Sequence, residues 1–387
     1  MGVPWGVPTA GHSRAGRMVA RGCAGDELPG WFIEDAGSGM LYKRGRLLGE
    51  GTFGRCYQLT EVGSGRVYAA KVIPRVRLAT VGIGERVERE QELHGRLRHR
   101  HIVRLHGHFA DSSHVYLLLE YCSRRSLADI LRARGRLTEP EVRYYLRQII
   151  SGLRYLHGQG IIHRDLKLSN FLVTEKMQVK IGDLGLARRE APAGRRWGAL
   201  CGTPGYLAPE VLDRKGHGVP SDVWALGCAV YTALTGSPPF EAAHRQELYR
   251  RIRAARYPLP PHLSPRARAL IAGLLAPEPA ARPSLRDVLN HGFFTQGFTP
   301  DRLPPHACRS VPVFMGQDPL CRLLRGAATA LVRGWPCRER RDPPPCHPGG
   351  QPSSPCKGEA SSAGPEPCKH PLRKTFISTR NRLKSSH

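Results

Sequence analysis

The sequence predicts an α+β fold of two lobes, a small β-rich one followed by a larger helical one, with a cleft between them. Three observations carry this expectation. Residues 43–73 break into short strand-sized runs, two of them joined by Gly63-Ser64-Gly65. From Ser126 onward the apolar spacing becomes helical. The composition, 40% hydrophobic and 24% charged over 387 residues, suits a globular chain that buries one large core or two modest ones.

The elements follow in order. Lys43–Gly49, Arg55–Val62 and Arg66–Ile73 read as strands, the last two as a hairpin. A helix is expected over Glu85–Leu97, then strands near Ile102–Phe109 and His114–Glu120. Glu141–His157 places Val142, Tyr145, Leu146, Ile149, Leu153 and Leu156 on one helical stripe. Residues 1–41 are Gly-rich without sustained periodicity and read as a flexible leader. Residues 316–387 hold 11 Pro and 7 Gly with few aromatics, so this basic tail is expected to be disordered. No internal repeat is evident.

Several classes are excluded. No apolar run approaches the ~20 residues of a transmembrane helix, and the first 30 residues lack the apolar stretch of a secretory signal. Gly6 breaks the myristoylation pattern. The eleven cysteines show no pairing rhythm and no C-x-x-C, which fits reduced thiols in an intracellular chain of the nucleus and/or cytoplasm. The net charge of +27 lies mostly on residues 42–294. Such a field favours acidic partners, whereas an Arg-rich surface reflecting a GC-rich coding region is the bland alternative. Nothing looks like a groove-reading motif, so nucleic acid is not an expected partner.

The residues that carry chemistry are more specific. Gly49-Glu50-Gly51-Thr52-Phe53-Gly54 is a G-x-G-x-x-G that runs into a strand, not a helix. A glycine hairpin lets backbone N–H groups approach phosphates without Cβ obstruction. Lys71 sits inside the apolar run Val67–Ile73, where an ammonium must be paired or reach an anion. Contact with nucleotide phosphates is expected, with a snorkelling edge-strand lysine as the alternative. Among the carboxylates of the 85–97 helix, Glu90 shares the inward face with Val87, Leu93 and Leu97 and is the expected partner of Lys71; Glu85, Glu88 and Glu92 are read as solvated. In His163-Arg164-Asp165-Leu166-Lys167-Leu168-Ser169-Asn170, Asp165 can orient a substrate hydroxyl and accept its proton. Lys167 can neutralise a transferring phosphoryl group, and Asn170 offers a hard oxygen to Mg²⁺. Asp183, in Asp183-Leu184-Gly185, would chelate Mg²⁺ bridging the β- and γ-phosphates.

This set resembles the protein kinases. Finer features resemble the polo-like family: Cys56, Arg124-Arg125-Ser126-Leu127, Leu137-Thr138-Glu139-Pro140-Glu141, Leu200-Cys201-Gly202-Thr203-Pro204, Lys215-Gly216-His217 and Pro300-Asp301-Arg302-Leu303-Pro304. The resemblance covers residues 42 to about 315. It implies a two-lobed eukaryotic protein kinase fold over 42–294, a family-like extension over 295–315, ATP and Mg²⁺ as cofactors, and Ser/Thr-bearing protein substrates in a cell-cycle setting. Lys167 with Gly202-Thr203-Pro204 resembles Ser/Thr rather than Tyr kinases. By the same resemblance, Glu210 of Ala208-Pro209-Glu210 pairs with Arg282 and Asp222 braces the catalytic loop. Leu48, Cys56, Ala69 and Leu172 enclose the adenine, and Leu119 is the gatekeeper. Glu120 and Cys122 offer hinge backbone groups, and Glu50, Thr52, Phe53 and Arg55 belong to the phosphate-covering loop. A preference for acidic substrates would agree with the positive charge.

Departures are also legible. Gly54 replaces the family's usual Ala and is expected to be harmless; Leu184 replaces Phe and is expected to alter the active/inactive balance. Residues 186–200 contain no Ser, Thr or Tyr, and the family's phosphorylatable Thr falls on Ala199. Either other contacts, from Glu190 or Trp197, order this loop and activity is independent of phosphorylation, or the loop is poorly ordered and activity is low. A weakly active or inactive kinase-fold scaffold is therefore the competing expectation. The 72 residues after Met315 are too few for polo boxes, so a divergent member without them is expected. Within 319–334, the spacing of Leu320, Leu323, Leu324, Ala327, Ala328, Leu331 and Val332 fits contact with a partner or membrane surface, docking on the kinase's own lobe, or no stable helix. Arg338-Glu339-Arg340-Arg341 reads as solvated linker or nuclear signal.

Overall fold

The computed structural model describes residues 29–51, 54–80, 82–190 and 200–314. The small lobe is a six-stranded antiparallel sheet. Its strands are β1 (Phe32–Asp35), β2 (Met40–Glu50), β3 (Arg55–Glu61), β4 (Val67–Pro74), β5 (Leu105–Ala110) and β6 (His114–Glu120), in the spatial order β1-β2-β3-β4-β6-β5. Alternation along these strands gives the sheet two buried faces. On one, Tyr42 stacks on Phe109 at 5.6 Å and Phe109 on Tyr116 at 4.6 Å, over Ile33, Tyr57, Leu59 and Val72. On the other, Ile73, Leu105 and Leu117 pack with Val87 of a helix, and Lys71 points the same way. After a single turn, α1 (Arg75–Leu78), that helix is α2 (Ile83–Gly95).

The large lobe is built on α4 (Glu139–Gly158) and α6 (Val219–Thr235), preceded by α3 (Leu127–Arg134). Thr138 and Glu141 close a capping box at the start of α4, and Ser126 with Asp129 does the same for α3. The whole predicted stripe of α4 is buried. Every residue of α6 from Ser221 to Leu234 is buried, as befits a helix that is apolar on all sides, and it ends on Gly236 in the left-handed conformation. Two-stranded pairs, β7 (Ile161–Ile162) with β10 (Arg188–Arg189) and β8 (Phe171–Val173) with β9 (Val179–Ile181), carry the loops that face the small lobe. Helices α5 (Pro209–Leu212), α7 (Arg245–Arg253) and α8 (Pro265–Leu274) complete the lobe as far as residue 274.

The sequence expectation needs correction at three places. The flexible leader does not extend to residue 41. Phe32–Asp35 pairs antiparallel with Met40–Lys43, because Ile33 and Tyr42 bury together over the sheet. The helix expected at 85–97 runs from Ile83 to Gly95, entered through Gly82 at φ 78°. The strand expected from Ile102 begins at Leu105, because Ile102 is used in a parallel bridge to Ile181 of β9. The tail, including 319–334, and Ala199 lie outside the described residues.

Candidate active site

The inward face of β4 brings Lys71 under the sheet, and the inward face of α2 brings Glu90 to it. Lys71 Nζ lies 2.7 Å from Glu90 Oε2 and 3.4 Å from Asp183 Oδ1. Burial alone would depress the Lys71 ammonium, but the carboxylates of Glu90 and Asp183 outweigh it and raise its pKa. Burial likewise pushes the Asp183 carboxyl up; Lys71, with His163 and Lys167 beyond it, brings it below the ordinary value. Asp183 adopts a left-handed backbone, φ 56°. Gly185 lies so close that a Cβ there would stand 3.1 Å from Glu90 Oε2 and 3.2 Å from Lys71 Nζ. Leu184 is buried in the core of the large lobe.

A second cluster lies on the loop between β7 and β8. Asp165 Oδ1 accepts hydrogen bonds from the Thr203 N–H at 3.0 Å and the Thr203 hydroxyl at 2.7 Å. Asp165 Oδ2 pairs with Lys167 Nζ at 2.8 Å, and that ammonium also donates to Thr203 Oγ1 at 3.0 Å. Asn170 Nδ2 donates to the Asp165 carbonyl at 2.8 Å, which turns its amide oxygen the other way. The loop is braced from below by Asp222, which accepts the His163 N–H at 2.9 Å and the Arg164 N–H at 3.0 Å. His157 Nε2 stands 2.9 Å from the same carboxylate. Arg164, at φ 68°, donates to the Leu186 carbonyl at 2.7 Å. Glu210 and Arg282 form the expected pair through two bonds of 2.6 and 2.7 Å.

The remaining expected residues lie on or beside β2, β3, β4, β6 and β8. Gly49 and Glu50 pair with Cys56 and Arg55, Glu50 and Arg55 join at 3.0 Å, and Gly51 N–H donates to the Gly54 carbonyl at 2.8 Å. Thr52 and Phe53 lie outside the described residues. Leu48 on β2 is half-buried. Cys56 is register-paired with Lys71, and Ala69 with Leu119. Burial pushes the Cys56 thiol up to about 11 and the Cys122 thiol to about 12, so both stay protonated. The Glu120 carboxylate is held by Lys180 at 2.9 Å, and its N–H by the Arg104 carbonyl at 2.8 Å. Leu172 on β8 is bridged to Ser126. Asp183 and Asn170 offer two hard oxygen donors, a set that suits a Mg²⁺ ion completing its shell with phosphates and water. The sequence reading missed the Asp165–Thr203 contact and the role of His157, because neither spacing nor residue type announces them.

A family model described as "Protein kinase domain" matches residues 42–294. Among curated relatives, the Mus musculus protein named "Inactive serine/threonine-protein kinase PLK5" is 57% identical over 320 residues, covering 83% of this chain and 53% of that protein. Serine/threonine-protein kinase PLK2 of Mus musculus is 52% identical over 303 residues, 78% of this chain and 44% of its own length. Serine/threonine-protein kinase PLK1 of Xenopus laevis is 45% identical over 310 residues, 80% and 52% respectively. The chain spans about half the length of these relatives.

Proposed function

The chain belongs to the protein kinase family, in its polo-like branch, and from that premise we propose that it is a Mg²⁺/ATP-dependent serine/threonine kinase acting on protein substrates in acidic contexts inside the cell. The observation that carries this reading is the meeting of Lys71, Glu90 and Asp183 at 2.7 and 3.4 Å, together with the Asp165–Lys167–Thr203 cluster. Lys71, steadied by Glu90, holds the nucleotide's phosphates. Asp165 orients the substrate hydroxyl and takes its proton as the oxygen attacks the γ-phosphorus. Lys167 neutralises charge on the phosphoryl group in flight. Mg²⁺, when bound by Asp183 and Asn170, supplies charge neutralisation on the phosphates. Catalysis of this kind is mostly positioning and electrostatics. The charge of residues 42–294 supports acidic substrates.

A kinase-fold scaffold is the second reading. It is favoured by the absence of any Ser, Thr or Tyr between Gly185 and Cys201 and by one relative's printed name, "Inactive". The discriminating experiment measures ³²P transfer from Mg-ATP to casein and to acidic Ser/Thr peptides. Wild type should transfer, and Asp165→Asn should lose roughly 100-fold or more. A gain confined to Ala199→Asp would mean a competent site held off by its loop. Equal background in wild type and both variants would sink the enzyme reading and leave the scaffold.

A further inference from the structure

The domain match ends at residue 294, yet the chain stays packed on the large lobe as far as residue 308. Leu303 and Ala307 are buried in its core. Two buried arginines hold this segment at its ends. Arg143 of α4 donates to the Phe293 carbonyl at 2.5 Å and to the Phe298 carbonyl at 2.9 Å, and a Cβ on Gly297 would collide with its guanidinium. Arg134, the last residue of α3, donates to the Ala307 carbonyl at 2.7 Å and to the two Glu141 oxygens at 2.5 and 3.0 Å. Both side chains of that ion pair are 1% exposed. A charge so fully removed from water needs directed partners, and the Ala307 carbonyl is one of them.

Next to Ala307 the segment meets the turn between β8 and β9. Cys308 Sγ lies 3.6 Å from Met177 Sδ. Met177 is buried, with a left-handed backbone at φ 60°. A residue other than glycine keeps that conformation only where its surroundings enforce it. The Met177 N–H closes the turn on the Thr174 carbonyl at 3.0 Å, and the Thr174 N–H donates to the Gln178 carbonyl at 2.9 Å. The turn joins β8, which carries Leu172, to β9, which ends two residues before Asp183.

We propose that residues 295–308 form a strap that positions the β8–β9 hairpin for nucleotide binding. Arg143 and Arg134 fasten the strap, and Cys308 holds Met177, and with it the turn, in place. Met177 and Cys308 are positioning residues, remote from the reacting atoms. The nucleotide part of the proposal rests on the kinase reading above; the fastening of the turn does not.

The test uses three variants of the full-length protein. Ala307→Leu overfills a closed site and should lift the strap. Cys308→Ala leaves it seated and deletes the contact with Met177. Val313→Ala, at an 85% exposed residue, is the control. Deuterium exchange at the Thr174 and Met177 amides should quicken about tenfold or more in Ala307→Leu and about threefold in Cys308→Ala, with exchange in α6 unchanged. The Mg-ATP dissociation constant, by calorimetry, should rise about fivefold or more and about twofold respectively. Val313→Ala should alter neither. Exchange that quickens at 303–308 but not at Thr174 and Met177 overturns the proposal. So does faster exchange at the turn with an unchanged dissociation constant. If Ala307→Leu does not fold, Cys308→Ala decides alone, and wild-type exchange at Met177 overturns the strap. Wild type that takes up no Mg-ATP would refute the kinase reading, while the exchange data still decide whether the strap holds the turn.

Discussion

At Gly54 there is no room for a side chain: a Cβ there would overlap the Val72 carbonyl oxygen. Gly54, expected to be harmless, is required by this backbone, because the contact between Gly51 and Gly54 is pressed onto β4. Overpacking of this kind costs about 1–3 kcal/mol. Gly54→Ala should therefore lift the turn and raise the Mg-ATP dissociation constant about fivefold or more, measured by calorimetry. An unchanged constant would show that the turn moves at no cost. Residues such as Lys71, Glu90, Asp165 and Asp183 were legible in the sequence because each sits in a motif of fixed spacing or on a countable helix face. Gly54's constraint was not, because it depends on a strand 18 residues away in sequence.

Among the elements, the first turn of α5 is tied to the segment after α8 by a buried pair. Arg282 makes two bonds to Glu210, donates to the Pro220, Ala276 and Pro277 carbonyls, and lies 5.0 Å over the Trp224 ring of α6. Removing one partner would leave the other charge buried and unpaired, a loss of about 3–5 kcal/mol. Arg282→Ala should show it as a lower denaturation midpoint; a change under about 1 kcal/mol would place the strength elsewhere. The long elements were readable from period alone: α4 buries its predicted stripe and its capping box lies where Thr138 and Glu141 put it. Boundaries were less readable. Ile102 has strand chemistry, yet its partner is β9 of the other lobe, and a non-local bridge leaves no local trace. Phe32–Asp35 is four residues long, too short for periodicity to rise above its Gly-rich surroundings.

Over the whole molecule, acid should weaken the fold through its histidines. Burial lowers the pKa of His94, His99, His101, His106 and His217, the last to about 4. The unfolded chain takes up these protons near pH 6.5, before the folded one does, so stability rises with pH through this window and falls on acidification. The melting temperature should drop between pH 7 and pH 5, and His217→Gln should flatten the slope; a flat wild-type profile would contradict the burial argument. The two-lobed plan itself was legible, since the change from strand-sized runs to helical period falls where the lobes meet. What no pattern disclosed is how the first strand is fastened. The Arg44 guanidinium is sandwiched between Trp31 at 4.9 Å and Tyr57 at 5.5 Å, and it donates to the Pro29 carbonyl. A fragment cut at the family boundary, residue 42, would shed Trp31 and Ile33, taking one ring from Arg44 and the Ile33 cover from Tyr42. Expression of the kinase domain alone therefore has to start upstream of Pro29, or the shortened product will present a greasy, sticky flank.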